Sequence, residues 1–89
     1  MAQILVNPET LRAKAADVRN YRSQHDEVIT RLKTLVNGLS ETWQGNAQTA
    51  FVSNFEGMQS TFVQFSELLE DYAKTMETFA NKMEAEDRL

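Results

Sequence analysis

The sequence contains no cysteine, and only one histidine, one proline and three glycines among 89 residues. Without thiols there is no disulfide scaffold, no cysteine-based zinc site and no thiol nucleophile. One imidazole and no glycine-rich phosphate loop leave no nucleophile–base pair from which to build catalysis. Long apolar runs are missing as well. None approaches the roughly 18 residues of a membrane span, and Met1-Ala2-Gln3-Ile4-Leu5-Val6 has neither a basic n-region nor an adequate h-region, so no cleaved signal peptide is expected. Nor is there an excess of positive charge. The formal net charge is −4, with six basic and five acidic side chains over 1–45 and three basic and eight acidic over 46–89. That balance lacks the basic stripe that neutralises phosphates, which argues against nucleic acid, and the acidic second half argues against stable insertion into anionic membranes. By these signals alone the chain reads as cytosolic.

What the chain does have is a large apolar content for its size, 42% hydrophobic residues including five phenylalanines. A monomer this small buries only about two thirds of its unfolded surface. The chain must therefore pack very regularly or share its core.

Val6-Asn7-Pro8-Glu9-Thr10-Leu11 is a complete helix start. Asn7 can accept from the free amides of the first turn, Pro8 loses nothing by lacking an N–H, Glu9 meets the positive end of the dipole, and Val6 and Leu11 stand at hydrophobic-staple positions. Leu11, Val18, His25, Leu32 and Leu39 then recur every seven residues, widened by Tyr21, Val28 and Leu35 and by Ala15, Ile29 and Val36. Helix 1 is expected over about 8–39, with Asn37-Gly38 loosening its last turn. In the second half Phe51, Met58, Phe65, Tyr72 and Phe79 form one heptad column, and Phe55, Phe62, Leu69, Met76 and Met83 the other, without a miss. That is a coiled-coil-type seam, with Val52, Val63, Leu68, Ala73 and Ala80 broadening it and Glu70 and Lys74 an i, i+4 pair. Helix 2 is expected over about 46–85, fraying towards Leu89, and the connection 40–45 is too short for anything but an antiparallel hairpin. At 1.5 Å per residue the helices would run roughly 50 and 60 Å. Two helices in contact along one line cannot hide both stripes. The expected architecture is therefore all-α, a single helix–turn–helix domain over 1–89 that pairs through a two-fold axis into a four-helix bundle.

No residue stands out as catalytic. His25 sits in a core column with Tyr21, Arg22, Val28 and Ile29 one turn away, none a carboxylate, so it reads as a packed or interfacial histidine and not as a metal ligand. Glu67, Glu70 and Asp71 read as a solvated face, and Met58, Met76 and Met83 as core. No cofactor is expected. One group does not reduce to periodicity, namely Trp43-Gln44-Gly45, the only tryptophan in the chain followed by one of its few glycines. Trp43 could close the open end of the hairpin while Gly45 lets the chain reverse, or the indole could be a partner-docking anchor at the tip of a rod.

With its length, its two amphipathic helices and Trp43-X-Gly45 at the midpoint between Leu39 and Ala47-Phe51-Phe55, the chain resembles the WXG family of small substrates of the type VII (ESX/Ess) secretion system. The resemblance covers essentially the whole sequence. It implies a non-enzymatic protein of a Gram-positive bacterium that folds in the cytoplasm as a hairpin dimer and is secreted without a cleaved signal peptide. Trp43 and Gly45 would form part of the surface read by the secretion ATPase. The roles implied are a virulence effector or an export co-factor for other proteins. The family's C-terminal export signal reads Tyr-X-X-X-Asp/Glu, and here the match is imperfect: four residues after Tyr72 stands Met76, and Glu77 falls one position late, rotated by roughly 100°. Either the acidic tail Glu84-Ala85-Glu86-Asp87 serves instead or a partner supplies the signal. The first option goes with a second copy as the partner, and the second with a related WXG-type hairpin such as the helical leader of a larger secreted toxin for which this chain is the adaptor. Outside secretion, the same periodicity would suit a cytosolic coiled-coil scaffold.

Overall fold

The computed structural model describes residues 7–87. Helix α1 (Pro8–Asn37) begins as its first residues dictate. The Asn7 side-chain oxygen accepts the Thr10 N–H at 2.7 Å, Pro8 occupies the first position and Glu9 the first turn. Val6, the other half of the expected staple with Leu11, lies outside the described residues, as does the expected fraying at Leu89. α1 stops at Asn37, slightly short of Leu39. Gly38 keeps a right-handed conformation (φ −82°), and one 3₁₀ turn, Leu39–Glu41, carries the chain out of the helix.

The second arm, expected as one helix, is divided into α2 (Asn46–Gly57) and α3 (Gln59–Asp87). At the junction Met58 (φ −89°, ψ −3°) donates its N–H to the Phe55 carbonyl at 3.1 Å, three residues back instead of four. Such local tightening interrupts the α-helical ladder, and the preceding Gly57 is an intrinsically weak helix residue. The Phe55 and Phe62 rings, 5.8 Å apart, bridge the break.

α1 runs antiparallel to α3 and packs chiefly on it, touching α2 only lightly. Ala15, Ala73 and Ala80 are fully buried and Val36 nearly so. Their small side chains allow the close backbone approach that rows of large residues would prevent. On the second arm the seam therefore uses Val52, Gln59, Ser66, Ala73 and Ala80 together with the half-buried Phe55, Phe62, Leu69, Met76 and Met83. The Phe51 column lies one position away and is left at the edge. Ser66, the one buried polar residue among those described, accepts the Arg22 Nε–H at 2.8 Å, which satisfies both groups. Among the described residues there is no strand, and no helix is long and apolar enough to cross a membrane.

The hairpin is a rod of 67 × 24 × 19 Å with a radius of gyration of 20.1 Å, against ~12 Å for a compact chain of this length. Its accessible surface is 7027 Å², whereas a folded monomer of this mass typically exposes about 5,300 Å². The fold leaves surface that has no partner among the described residues.

Candidate functional site: an apolar face and a tryptophan turn

Two opposite edges of the seam are built differently. On one edge, arginines of α1 reach glutamates of α3. Arg12 bonds Glu84 at 2.6 Å and Asn81 at 2.8 Å; Arg19 bonds Glu77 at 2.6 Å and Glu70 at 3.0 Å; Arg22 reaches Glu70 at 3.3 Å. These charge-assisted bonds raise the Arg12 and Arg19 guanidiniums above their ordinary pKa and hold the Glu70 and Glu77 carboxyls below their ordinary 4.5. The sequence reading missed this ladder and paired Glu70 with Lys74. Its signal was the seven-residue spacing shared by Arg12 and Arg19 and by Glu70, Glu77 and Glu84.

Among the described residues the other edge carries no such ladder. The His25 ring lies 5.0 Å from the Phe65 ring, and its Nδ1 lies 3.1 Å from the Asp26 carboxylate. Hydrogen bonds from Ser66 and His25 hold Asp26 below its ordinary 3.8. His25 lies about 120° around α1 from Arg19, and Phe65 about 140° around α3 from Glu70, so the ring pair and the ladder flank the seam on opposite sides. Around the ring pair spreads the unpartnered surface. Phe51, Met58, Phe65, Tyr72 and Phe79 are 45–56% exposed, and Tyr21, Val28, Leu32 and Leu35 of α1 stand out beside them. Leu11, Val18 and Leu39 are half-buried at the margin between this face and the seam. A contiguous apolar surface on this scale marks an interaction site.

At the tip of the rod the chain reverses through Trp43-Gln44-Gly45. The Trp43 N–H donates to the Leu39 carbonyl at 2.7 Å. The indole packs 5.9 Å from the Phe51 ring, tilted by 52°, yet stays 39% exposed. Gly45 has φ 122° and ψ −177°, the only positive φ among the described residues. A Cβ there would meet nothing within 4 Å, so it is the backbone conformation and not lack of space that requires glycine. The Gly45 carbonyl accepts both the Thr49 N–H at 3.1 Å and the Thr49 hydroxyl at 3.2 Å, which opens α2. The turn thus holds the indole half on Phe51 and half in solvent.

Tyr72 and Glu77 are not brought together. Tyr72 belongs to the apolar row and Glu77 to the ladder on the opposite edge. Within the acidic tail, Glu84 is bonded to Arg12.

Residues 3–88 match the family described as proteins of 100 residues with WXG. The chain belongs to the WXG100 family. Protein YukE of Bacillus subtilis is 32% identical over 88 residues, covering 96% of this chain and 88% of its own. Type VII secretion system extracellular protein A of Staphylococcus aureus is 24% identical, covering 99% of this chain and 91% of its own. In structure the chain is similar to the secreted protein EsxB of Bacillus anthracis, with a TM-score of 0.84, 28% identity and coverage of 98% and 99% of the two chains. The WXG of the family name is Trp43-Gln44-Gly45 at the hairpin tip.

Proposed function

We propose that this WXG100 protein is a non-enzymatic substrate of a type VII secretion system, folded in the cytoplasm, paired with a second copy of itself and exported without a cleaved signal peptide. Trp43, presented by Gly45, is the feature read by the secretion ATPase. The observation that carries this reading is the half-exposed indole at the tip of the rod, in a chain whose relatives include a type VII extracellular protein. A buried indole would have served only as a staple. After export the protein acts as an effector or as a co-factor for the export of other proteins.

Self-pairing is supported by the uncovered apolar face. The surface in excess of a normal monomer amounts to well over the ~800 Å² per partner of a standard interface. The rows from Phe51 to Phe79 and from Tyr21 to Leu35 contain no charged side chain, so two chains of net charge −4 can meet there without opposing like charges. Tyr72 works in that face. Export of the chain into the medium, compared with and without the secretion ATPase, tests the secretion reading. A purified chain with the mass of a single copy that gains helical order only with a second hairpin protein would instead support the adaptor role.

A further inference from the structure

The two ends of the hairpin are held together differently. Towards the open end, α3 is tied to α1 by the arginine–glutamate ladder and by the buried alanines. Towards the tip, α2 has no buried residue and touches α1 only lightly. Among the described residues no hydrogen bond or ion pair joins these two helices. Between them lies a groove of about 160 Å³, lined by Lys33, Val36, Val52, Phe55, Glu56 and Gln59.

The sequence nevertheless holds a further rung for the ladder. Two heptads from Arg19 towards the tip stands Lys33, and two heptads back from Glu70 stands Glu56. Lys33 and Glu56 line the groove from α1 and from α2, both exposed, and no ion pair joins them. What separates this rung from the others is the junction at Met58. There the Phe55 carbonyl accepts the Met58 N–H at 3.1 Å and the Gln59 side-chain amide at 3.2 Å, so the interruption leaves that carbonyl satisfied. Gly57, a weak helix former, precedes it. At the other end of α2 the ring contact of Phe51 with Trp43 and the two Thr49 bonds to Gly45 couple the turn to the helix.

We propose that the Gly57–Met58 junction is a hinge, on which α2 and the Trp43 turn swing between the open state of this structure and a closed one in which Lys33 pairs with Glu56 across the groove. An exposed ion pair contributes little, and forming it orders two long side chains, so the two states lie close in free energy. A molecule that grips one of them moves the tip. The hinge belongs to the single chain and stands whichever molecule reads Trp43.

NMR relaxation dispersion reads exchange on the microsecond-to-millisecond scale of hinge motions. Backbone amides 46–57 should show one common exchange process, whereas amides 66–84 should be flat. Lys33→Glu and Glu56→Lys should each move the populations towards the open state by about 1.5- to 5-fold, the range that an exposed ion pair supplies, and the two together should restore them. Gly57→Ala should slow or abolish the exchange on α2. Flat profiles over 46–57, one process shared by α2 and α3, or exchange that Gly57→Ala leaves unaltered would overturn the hinge. Exchange that responds to Gly57→Ala but not to the charge variants would overturn the Lys33–Glu56 closure.

Discussion

Tyr72 and Glu77 stand five residues apart on α3 and face opposite edges of the hairpin: Tyr72 lies in the half-exposed apolar row, while Glu77 holds Arg19 at 2.6 Å. One helix thus does two separate jobs. Its charged edge closes the hairpin and its aromatic edge is left for another molecule.

The charged edge makes hairpin stability depend on acid. Arg19 holds Glu70 and Glu77 below their ordinary value of 4.5 in the folded chain. A carboxyl with a depressed folded pKa contributes stability above its unfolded value and loses it as pH falls through the folded one. The melting temperature should therefore drop as pH falls below about 4.5. Arg19→Gln should lower it at pH 7 and flatten this dependence, as thermal melts across the pH range will show. These groups are partly exposed to solvent, so the effect should shrink in high salt.

The aromatic edge should govern association and leave the hairpin intact. Phe65→Ser removes one ring per copy from the pairing face. Phe65 is 48% exposed in the single hairpin, so pairing buries about half of a ring whose full burial contributes about 1.5–3 kcal/mol, and two lost rings weaken the dimer by about 1.5–3 kcal/mol. The mass by light scattering should fall towards the 10.2 kDa of one chain. Circular dichroism of the variant should still show a helical protein.

Gly45→Ala should destabilise the hairpin by about 1–3 kcal/mol, because φ 122° is a region in which an L side chain is strained. Chemical denaturation will measure the loss. Trp43 emission should shift as the indole leaves Phe51. An alanine that is tolerated without cost would show that the turn can be made another way.

Gly57→Ala should do the reverse. Nothing lies within 4 Å of a Cβ placed there and its φ is not positive, so alanine adds helix propensity of about 0.8–1 kcal/mol at no steric cost. Denaturant midpoints should rise. In the seam, Ala73→Leu should destabilise by about 1–3 kcal/mol, because this fully buried position has no room for a larger side chain.

Much of the hairpin is written locally. Asn7-Pro8-Glu9 starts a helix through bonds that never leave its first turn, and the short link to Asn46 forces antiparallel arms. The break at Met58 is hidden because Met58 keeps the seven-residue apolar rhythm and so masks the weakness of Gly57. The seam is hidden for a related reason: Gln59, Ser66, Ala73 and Ala80 give little hydropathy signal, while the neighbouring phenylalanines give a strong one. Close helix approach favours the small residues, and the large ones are displaced outward. The seven-residue spacing of Arg12 and Arg19 and of Glu70, Glu77 and Glu84 hints at a ladder, but which arginine meets which glutamate depends on how the arms slide against each other. The Trp43 turn was legible in its residues, but the half-exposure of the indole follows from the Phe51 contact and had to be seen.

The most direct test of the account is the amount of protein in the culture medium of a type VII-competent host expressing the wild-type chain or Trp43→Ala, each with and without the secretion ATPase. ATPase-dependent export of the wild type and its loss in Trp43→Ala are expected, with the variant accumulating inside the cell as a folded helical protein. Wild-type protein that stays in the cell despite an active system, or Trp43→Ala exported as well as the wild type, would contradict it.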